Sequence, residues 1–224
     1  MRLKHLPAEV VVADAMLSER GRQLVSQFRK RDIPITEVAS KQLAKLSETR
    51  TPQGIIALFR TPALRLCELS TRNLRTVLLC EGISDPGNLG TLFRSALAFG
   101  FDRVILLASS VEPYAPKVVR SSAGAVFGLQ VAVAGVDEAL RWLGANSLGL
   151  IAADGRGETD TGALQACVEK GPVALALGSE ADGLSPELIQ DSALVYRVAH
   201  KRIVESLNVA VAGSILMKQV YDCV

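Results

Sequence analysis

The sequence predicts an α/β fold in which a parallel sheet forms most of the larger, C-terminal part of the chain. Four apolar runs have the length of buried strands, at 77–79, 104–107, 148–151 and 173–177. Stretches with helical periodicity lie between them, near 89–99, 115–122 and 137–143. Continuously apolar strands that alternate with helices are typical of a parallel sheet covered on both faces.

The first sixty residues predict a smaller α/β unit. Its elements are an apolar strand at 10–12, an amphipathic stretch near 17–29, a short apolar segment at 33–35, a helix around 40–46 and a closing strand at 55–59. A unit of this size is only marginally able to fold alone. The less regular segment that follows contains Pro62 and several arginines and is predicted to be a linker. The predicted division is therefore 1–60, 61–75 and 76–224.

Composition excludes several classes of protein. No apolar run of the 224 residues approaches the roughly 18 that a membrane span needs. The N-terminal apolar stretch is broken by Glu9 and Asp14, so it does not resemble a signal peptide. The four cysteines are far apart and form no C-x-x-C pair, which indicates neither a zinc site nor a disulfide framework. We therefore expect a cytoplasmic protein without a metal ion. The net charge of +2 is too small to indicate nucleic-acid binding by itself.

The first sequence motif is ISDPGNLGTLFRSALAFGF, at 83–101. It follows a predicted strand and passes through turn-forming residues into a helix that stops at Gly100. Arg94 lies on the helical face opposite the apolar one and should project away from the core. Taken alone, Arg94 is an exposed helix arginine and Asn88 is a helix N-cap.

The second motif is VALALGSEADGLSPELIQ, at 173–190. A buried strand leads into a loop that carries Glu180 between Gly178 and Gly183, and these glycines would let a ligand approach the backbone closely. Ser185 and Pro186 then begin a helix in a capping pattern. The loop has neither the glycine spacing of a dinucleotide site nor a P-loop lysine. Without further context it is a tight turn with an exposed Glu.

The third motif is IVESLNVAVAGSILMKQVY, at 203–221. Glu205, Ser206 and Asn208 precede a helix whose small residues Ala210, Ala212 and Gly213 would permit close packing. The polar residues either cap this helix or contribute to a shared site. Loops at the carboxyl ends of parallel strands are where ligand sites gather in such sheets.

Taken together, the motifs resemble those of the SpoU, or TrmH-like, RNA ribose methyltransferases. The matching elements are N-x-G-x-x-x-R at Asn88–Arg94, G-x-E-x-x-G-L at Gly178–Leu184 and E-S-L-N-V at Glu205–Val209, in this order. The resemblance covers about 76–224, including RSSAGAVFGLQVAV at 120–133. The first sixty residues resemble the small RNA-binding domain of the family. Because family members usually have a further strand or helix before the equivalent of Val10, we expect this domain to be truncated at its start.

The resemblance implies more than the strand pattern can. It implies that the C-terminal chain is threaded into a trefoil knot, that two subunits pack through the knotted region, and that S-adenosylmethionine (AdoMet) is the methyl donor. The backbone around Gly178, Val198 and Leu207 would enclose the adenine end of AdoMet. The substrate would be a 2′-hydroxyl of structured RNA, with ribosomal RNA favoured over transfer RNA by analogy.

The resemblance also assigns catalytic roles. Arg94 is either a contact to the RNA phosphate beside the target ribose or an unusual base, and phosphate positioning is favoured because arginine is normally protonated. Asn88, Glu180, Ser206 and Asn208 would orient the donor, the ribose and Arg94 through hydrogen bonds. No metal ion is required.

One segment departs from the family pattern. Members usually have Ile-Pro-Met followed shortly by Gly before E-S-L-N, whereas this chain has Val198-Ala199-His200-Lys201-Arg202. The change could loosen the cofactor loop or add a contact to RNA, and no family role applies to His200. A catalytically silent, knotted RNA-binding protein is the alternative of a different class, and AdoMet affinity separates the two.

Overall fold

The computed structural model describes residues 6–61, 64–107, 109–201 and 203–224. The chain divides into two compact units, Met1–Pro62 and Ala63–Val224. Pro62, one basis of the linker prediction, lies outside the described residues. Leu66 and Leu69 of the predicted linker are buried in the core of the larger unit, so this part of the segment belongs to that unit.

The smaller unit is a three-stranded sheet with two helices. Its elements are β1 (Glu9–Val12), α1 (Glu19–Arg29), β2 (Ile35–Glu37), α2 (Ser40–Leu46) and β3 (Ile55–Leu58). Strand β1 is central, parallel to β2 and antiparallel to β3. Helix α1 buries Val25 and Phe28 against Val10 and Val12 of β1. The short apolar segment noted at 33–35 leads into β2, which begins at Ile35.

The larger unit contains a six-stranded sheet with helices around it. The strands are β4 (Thr76–Cys80), β5 (Arg103–Leu107), β6 (Gln130–Ala134), β7 (Gly149–Glu158), β8 (Val173–Leu177) and β9 (Leu194–Tyr196). The helices are α3 (Pro86–Ala98), α4 (Pro116–Ser121), α5 (Val136–Ala145), α6 (Thr161–Glu169), α7 (Pro186–Gln190) and α8 (Val209–Cys223). The strand order is β6-β5-β4-β8-β7-β9 and every pairing is parallel, which confirms the predicted fold class.

Burial is greatest at the middle of this sheet. Every residue of β4, β5 and β8 is buried, and separate hydrophobic clusters cover the two faces. Helix α8 packs closely on one face, because a Cβ on Gly213 would lie 2.5 Å from Leu177 Cδ1 and 2.6 Å from Leu92 Cδ2. The predicted close packing of α8 is therefore confirmed.

The four cysteines are free thiols in contrasting environments. Burial raises the pKa of Cys80 to about 12, whereas Cys67 is exposed. Because the thiolate is the reactive form, we expect iodoacetamide at pH 8 to label Cys67 and leave Cys80 unmodified in the folded protein. Mass spectrometry of labelled peptides measures this, with urea-unfolded protein as the control in which both react. Equal labelling of both in the folded protein would contradict the burial of β4.

Candidate active site

The three sequence motifs meet beside the carboxyl ends of β4 and β8. These strands are neighbours at the centre of the sheet. The order of the strands reverses between them, because β5 lies on the outer side of β4 and β7 lies on the outer side of β8. The loop after β4 leads into α3 and the loop after β8 carries Glu180. Crevices at such a reversal are the usual ligand sites of open α/β sheets.

Helix α3 begins earlier than its sequence suggests. Pro86 is its first residue, and the Oδ1 of Asp85 accepts a hydrogen bond from the backbone N–H of Asn88 at 2.8 Å. Asp85 is thus the N-cap, and the interpretation of Asn88 as the cap was wrong. The Asn88 side chain instead donates through Nδ2 to Glu180 Oε1, at 3.2 Å.

Glu180 is the centre of a hydrogen-bonded cluster that we call the carboxamide hub, consisting of Asn88, Glu180 and Asn208. Oε1 of Glu180 also accepts from Asn208 Nδ2 at 2.8 Å and from the backbone N–H of Val209 at 3.3 Å. A further bond runs from Asn208 Nδ2 to Asn88 Oδ1, at 3.0 Å. Residues 120 positions apart in the chain are therefore brought into direct contact.

Asn208 fulfils both interpretations of the third motif. Its Oδ1 accepts from the N–H groups of Ala210 at 3.0 Å and Val211 at 3.2 Å, so it caps α8. Its Nδ2 is left to bind Glu180 and Asn88. The carboxylate of Glu180 lies at the N-terminus of α8, where the helix dipole favours negative charge. The cap and the hub thus stabilise each other.

The loop that carries Glu180 is closed by its own backbone. Ser179 and Gly183 exchange two N–H to O hydrogen bonds, both 3.1 Å long. A Cβ on Gly178 would lie 2.5 Å from the backbone N of Leu184. The backbone of the loop therefore occupies the space beside Gly178 that we predicted for a ligand. Gly183 has φ +71° and nothing near its missing Cβ. Gly178 is therefore required by close packing within the loop and not by the approach of a ligand, which corrects the prediction. The space beside Gly183 is unoccupied, as the prediction requires.

The end of this loop is anchored by a residue that the motifs did not include. Oε2 of Glu81, directly after β4, accepts from the backbone N–H of Ser185 at 2.7 Å. Pro186 is the first residue of α7, as predicted, but the Ser185 side chain makes no capping bond. Its hydroxyl oxygen is buried without a hydrogen-bond partner in the described part of the chain.

A cavity of ≈ 200 Å³ lies next to the hub. It is lined by the ends of β7, β8 and β9 and by the segment before α8, and it includes all three predicted cofactor residues, Gly178, Val198 and Leu207. Glu180 and Ser206 also line it. Sequence reasoning missed Asp154 in this lining, although its position directly after an apolar strand run was a usable signal.

The segment that departs from the family pattern contributes His200 to this cavity. His200 Nδ1 lies 2.9 Å from the carbonyl oxygen of Val198. Since a carbonyl can only accept, Nδ1 carries the proton of this bond, and the contact ties the side chain to its own loop. Arg202, the last residue of the departure, lies outside the described residues.

Arg94 is not part of the hub. It is exposed, and within the described ranges no hydrogen bond or ion pair to its side chain is found. Six residues separate it from Asn88, which turns it about 240° around the axis of α3. Gly90, one turn before Arg94, faces α4, where a Cβ would lie 2.7 Å from the backbone N of Ser122. Asn88 and Arg94 therefore lie on different sides of α3.

Three larger cavities lie elsewhere in the larger unit. One of ≈ 540 Å³ lies beside Gly149 and Pro172 and one of ≈ 440 Å³ beside Thr76 and Arg103, near the amino ends of strands, and one of ≈ 380 Å³ lies beside Val136 on α5. The cavity beside the hub is the better candidate because it lies at the carboxyl ends of β7, β8 and β9 and is lined by predicted site residues, none of which lines the three larger cavities. Among the described residues, no group of three or more His, Cys, Asp or Glu is placed to hold a metal ion. In the same part of the chain, no helix has the length and hydropathy of a membrane span.

Comparisons with known proteins agree with this geometry. Residues 75–218 match the model of the SpoU rRNA methylase family, and residues 5–64 match that of the RNA 2′-O ribose methyltransferase substrate-binding domain. An uncharacterized tRNA/rRNA methyltransferase of Synechocystis sp. is 31% identical over 207 residues, 91% of this chain and 73% of the relative. The 23S rRNA (guanosine-2′-O-)-methyltransferase RlmB of Xylella fastidiosa strain 9a5c is 30% identical over 218 residues, 93% of this chain and 86% of the relative.

Solved structures share the fold as well. The crystal structure of AdoMet-bound rRNA methyltransferase from Sinorhizobium meliloti superposes with a TM-score of 0.84 at 25% identity, covering 98% of this chain and 81% of that one. The family model covers well over half of the chain and includes all three motifs. The chain therefore belongs to the SpoU rRNA methylase family.

Proposed function

We propose that this chain transfers the methyl group of AdoMet to a ribose 2′-hydroxyl of structured RNA, and that its substrate is ribosomal RNA. The observation that carries the proposal is the carboxamide hub, because it joins the three family motifs beside one cavity. The family match and the 23S rRNA relatives support the substrate class.

The cavity suits AdoMet chemically. Leu177, Leu207 and Leu216 provide apolar surface for an adenine ring, and the carboxylates of Glu180 and Glu205 suit a ligand that carries a sulfonium and an ammonium group. We assign cofactor binding to the backbone around Gly178, Val198 and Leu207. When bound, AdoMet supplies an activated methyl group, and the protein supplies its orientation.

Methyl transfer requires a hydroxyl oxygen that loses its proton and is aligned with the methyl group. Arg94, exposed and without a partner among the described residues, is suited to bind the RNA phosphate next to the target ribose. Asn88, Glu180, Ser206 and Asn208 orient the reactants, since none of them is a strong nucleophile.

The position of Arg94 favours a site completed by a second copy of the chain. Arg94 and Asn88 point to different sides of α3, so one chain alone does not bring Arg94 to the hub. Helix α8 also exposes Val211 (49%) and Ile215 (37%), one turn apart, as an apolar surface suited to an interface. We infer a homodimer that packs through this region, with the C-terminal segment threaded as a trefoil knot.

The smaller unit is proposed to bind the RNA substrate, in a division close to 1–60 and 76–224. Residues 1–62 hold 11 of the 25 Lys and Arg residues but only 6 of the 23 Asp and Glu residues. This excess of positive charge favours binding to phosphate, whereas the larger unit is acidic overall. We propose a cytoplasmic location, by analogy with the bacterial 23S rRNA methyltransferases among the relatives.

The test is transfer of labelled methyl from AdoMet to total ribosomal and transfer RNA from cells that lack the gene. We expect label in ribosomal RNA, at a nucleotide that resists alkaline cleavage, as a 2′-O-methylated ribose does. Label in transfer RNA alone would mean that transfer RNA, and not ribosomal RNA, is the substrate. No transfer, together with no AdoMet binding, would favour the silent RNA-binding protein.

A further inference from the structure

Asp154 has a position in the cavity that the motifs do not explain. It lies at the carboxyl end of the buried part of β7, and its side chain is only 13% exposed. It lines the cavity together with Gly178, Val198 and Leu207. A carboxylate withdrawn from water is costly unless its oxygens are hydrogen-bonded, so its partners are informative.

Arg156 provides those partners from outside the cavity. Asp154 Oδ1 accepts from the backbone N–H of Arg156 at 2.8 Å and from its Nε at 2.9 Å, and Oδ2 accepts from Nη2 at 2.9 Å. The Arg156 side chain is 83% exposed. Hydrogen bonding by this guanidinium lowers the pKa of Asp154, so the group is an ionised acceptor at neutral pH. A carboxylate has about four acceptor positions, and three are used.

The remaining position belongs to Oδ2. Oδ1 already accepts two hydrogen bonds and Oδ2 only one. The orientation of the carboxylate is fixed by the guanidinium, which leaves Oδ2 prepared for one further donor. The other carboxylates of the cavity are less suitable, since Glu180 and Glu205 are both exposed and water competes for their oxygens.

We propose that Asp154 accepts a hydrogen bond from a ribose hydroxyl of AdoMet through Oδ2 and that Arg156 is the positioning residue that orients it. This inference rests on the proposed function. The paired guanidinium cancels the charge of Asp154, so the pair acts as a hydrogen-bond acceptor and attracts a sulfonium little. Hydroxyls of a ribose are the donors that carboxylates bind at strand ends of other nucleotide-binding α/β sheets.

Calorimetry with S-adenosylhomocysteine and its 2′-deoxy and 3′-deoxy analogues tests the assignment. Asp154→Asn keeps the size of the side chain but replaces one acceptor oxygen with a donor. We expect it to weaken the binding of S-adenosylhomocysteine and AdoMet by the same factor, about tenfold or more. Wild-type protein should prefer S-adenosylhomocysteine to at least one deoxy analogue by a similar factor, and Asp154→Asn should lose that preference.

The matched controls separate position from charge. Glu138→Gln makes the same change in net charge on α5, away from the cavity, and should leave both affinities unchanged. Arg156→Ala should weaken binding by only about two- to fivefold, because an exposed ion pair contributes little. Arg156→Lys should restore part of that loss.

Three outcomes would overturn the inference. Affinities of Asp154→Asn equal to wild type would remove Asp154 from the site, and a loss confined to AdoMet would indicate a counter-ion for the sulfonium. If Asp154→Asn does not fold, wild-type protein that binds both deoxy analogues as tightly as S-adenosylhomocysteine still contradicts it. Wild-type protein that binds neither AdoMet nor S-adenosylhomocysteine would instead overturn the proposed function.

Discussion

Replacing Arg94 with alanine is expected to lower methyl transfer by about 10²- to 10⁴-fold while leaving AdoMet affinity within about twofold of wild type. The side chain is exposed and, in the described part of the chain, makes no hydrogen bond or ion pair with the fold or the hub. Its loss should therefore affect the reaction with RNA and not the cofactor. Labelled methyl transfer and calorimetry with AdoMet measure the two effects separately, with Arg141→Ala on α5 as the control for loss of an exposed arginine.

The same variant distinguishes the two roles considered for Arg94. If Arg94 binds phosphate, Arg94→Ala should weaken RNA binding, and the slope of RNA affinity against salt concentration should fall by about one phosphate contact. The pH profile of kcat should keep its shape. If Arg94 is the base, Arg94→Lys should shift that profile to lower pH, because an amine loses its proton more easily than a guanidinium. Wild-type activity in Arg94→Ala would contradict both roles.

The centre of the sheet could be predicted because its strands are apolar on both faces. Strands β4, β5 and β8 are buried at every position, and apart from Thr76 and Arg103 at the starts of β4 and β5 each is a continuous apolar run in the sequence. The strands at the two edges give weaker signals. Strand β6 is buried only in part, with Val133 58% exposed, and β9 has only three residues, which is too short for a period to be recognised.

The site could be predicted only in part from local patterns. Loops after β4 and β8 are expected to lie near each other once a parallel sheet is assumed. Asn208 follows no strand, and its contact with Asn88 depends on how α8 returns across the sheet, which hydrophobic periodicity does not encode. Family resemblance identified it instead. Asp154 was missed because neither a motif nor the resemblance includes it.

Replacing Glu180 with alanine is expected to weaken AdoMet binding about tenfold and to lower methyl transfer by at least about 100-fold. Oε1 alone accepts from two side-chain amides and one backbone N–H, so its removal leaves three donors without their acceptor. Asn88 and Asn208 then lose the group that holds them together beside the cavity. Since Glu180 is exposed, water replaces part of each bond, and the free energy of unfolding should fall by only about 1 kcal/mol.

The matched control lies in the same loop. Asp182 is also exposed and its carboxylate makes one long contact, 3.4 Å from Ser179 Oγ, so Asp182→Ala should change AdoMet affinity by less than about twofold. Glu180→Gln keeps an oxygen that can accept from Asn208 but loses the charge at the start of α8. An intermediate affinity for Glu180→Gln is therefore expected. If Glu180→Ala and Asp182→Ala lose affinity equally, the loop as a whole matters and the hub does not hold the cofactor site in place.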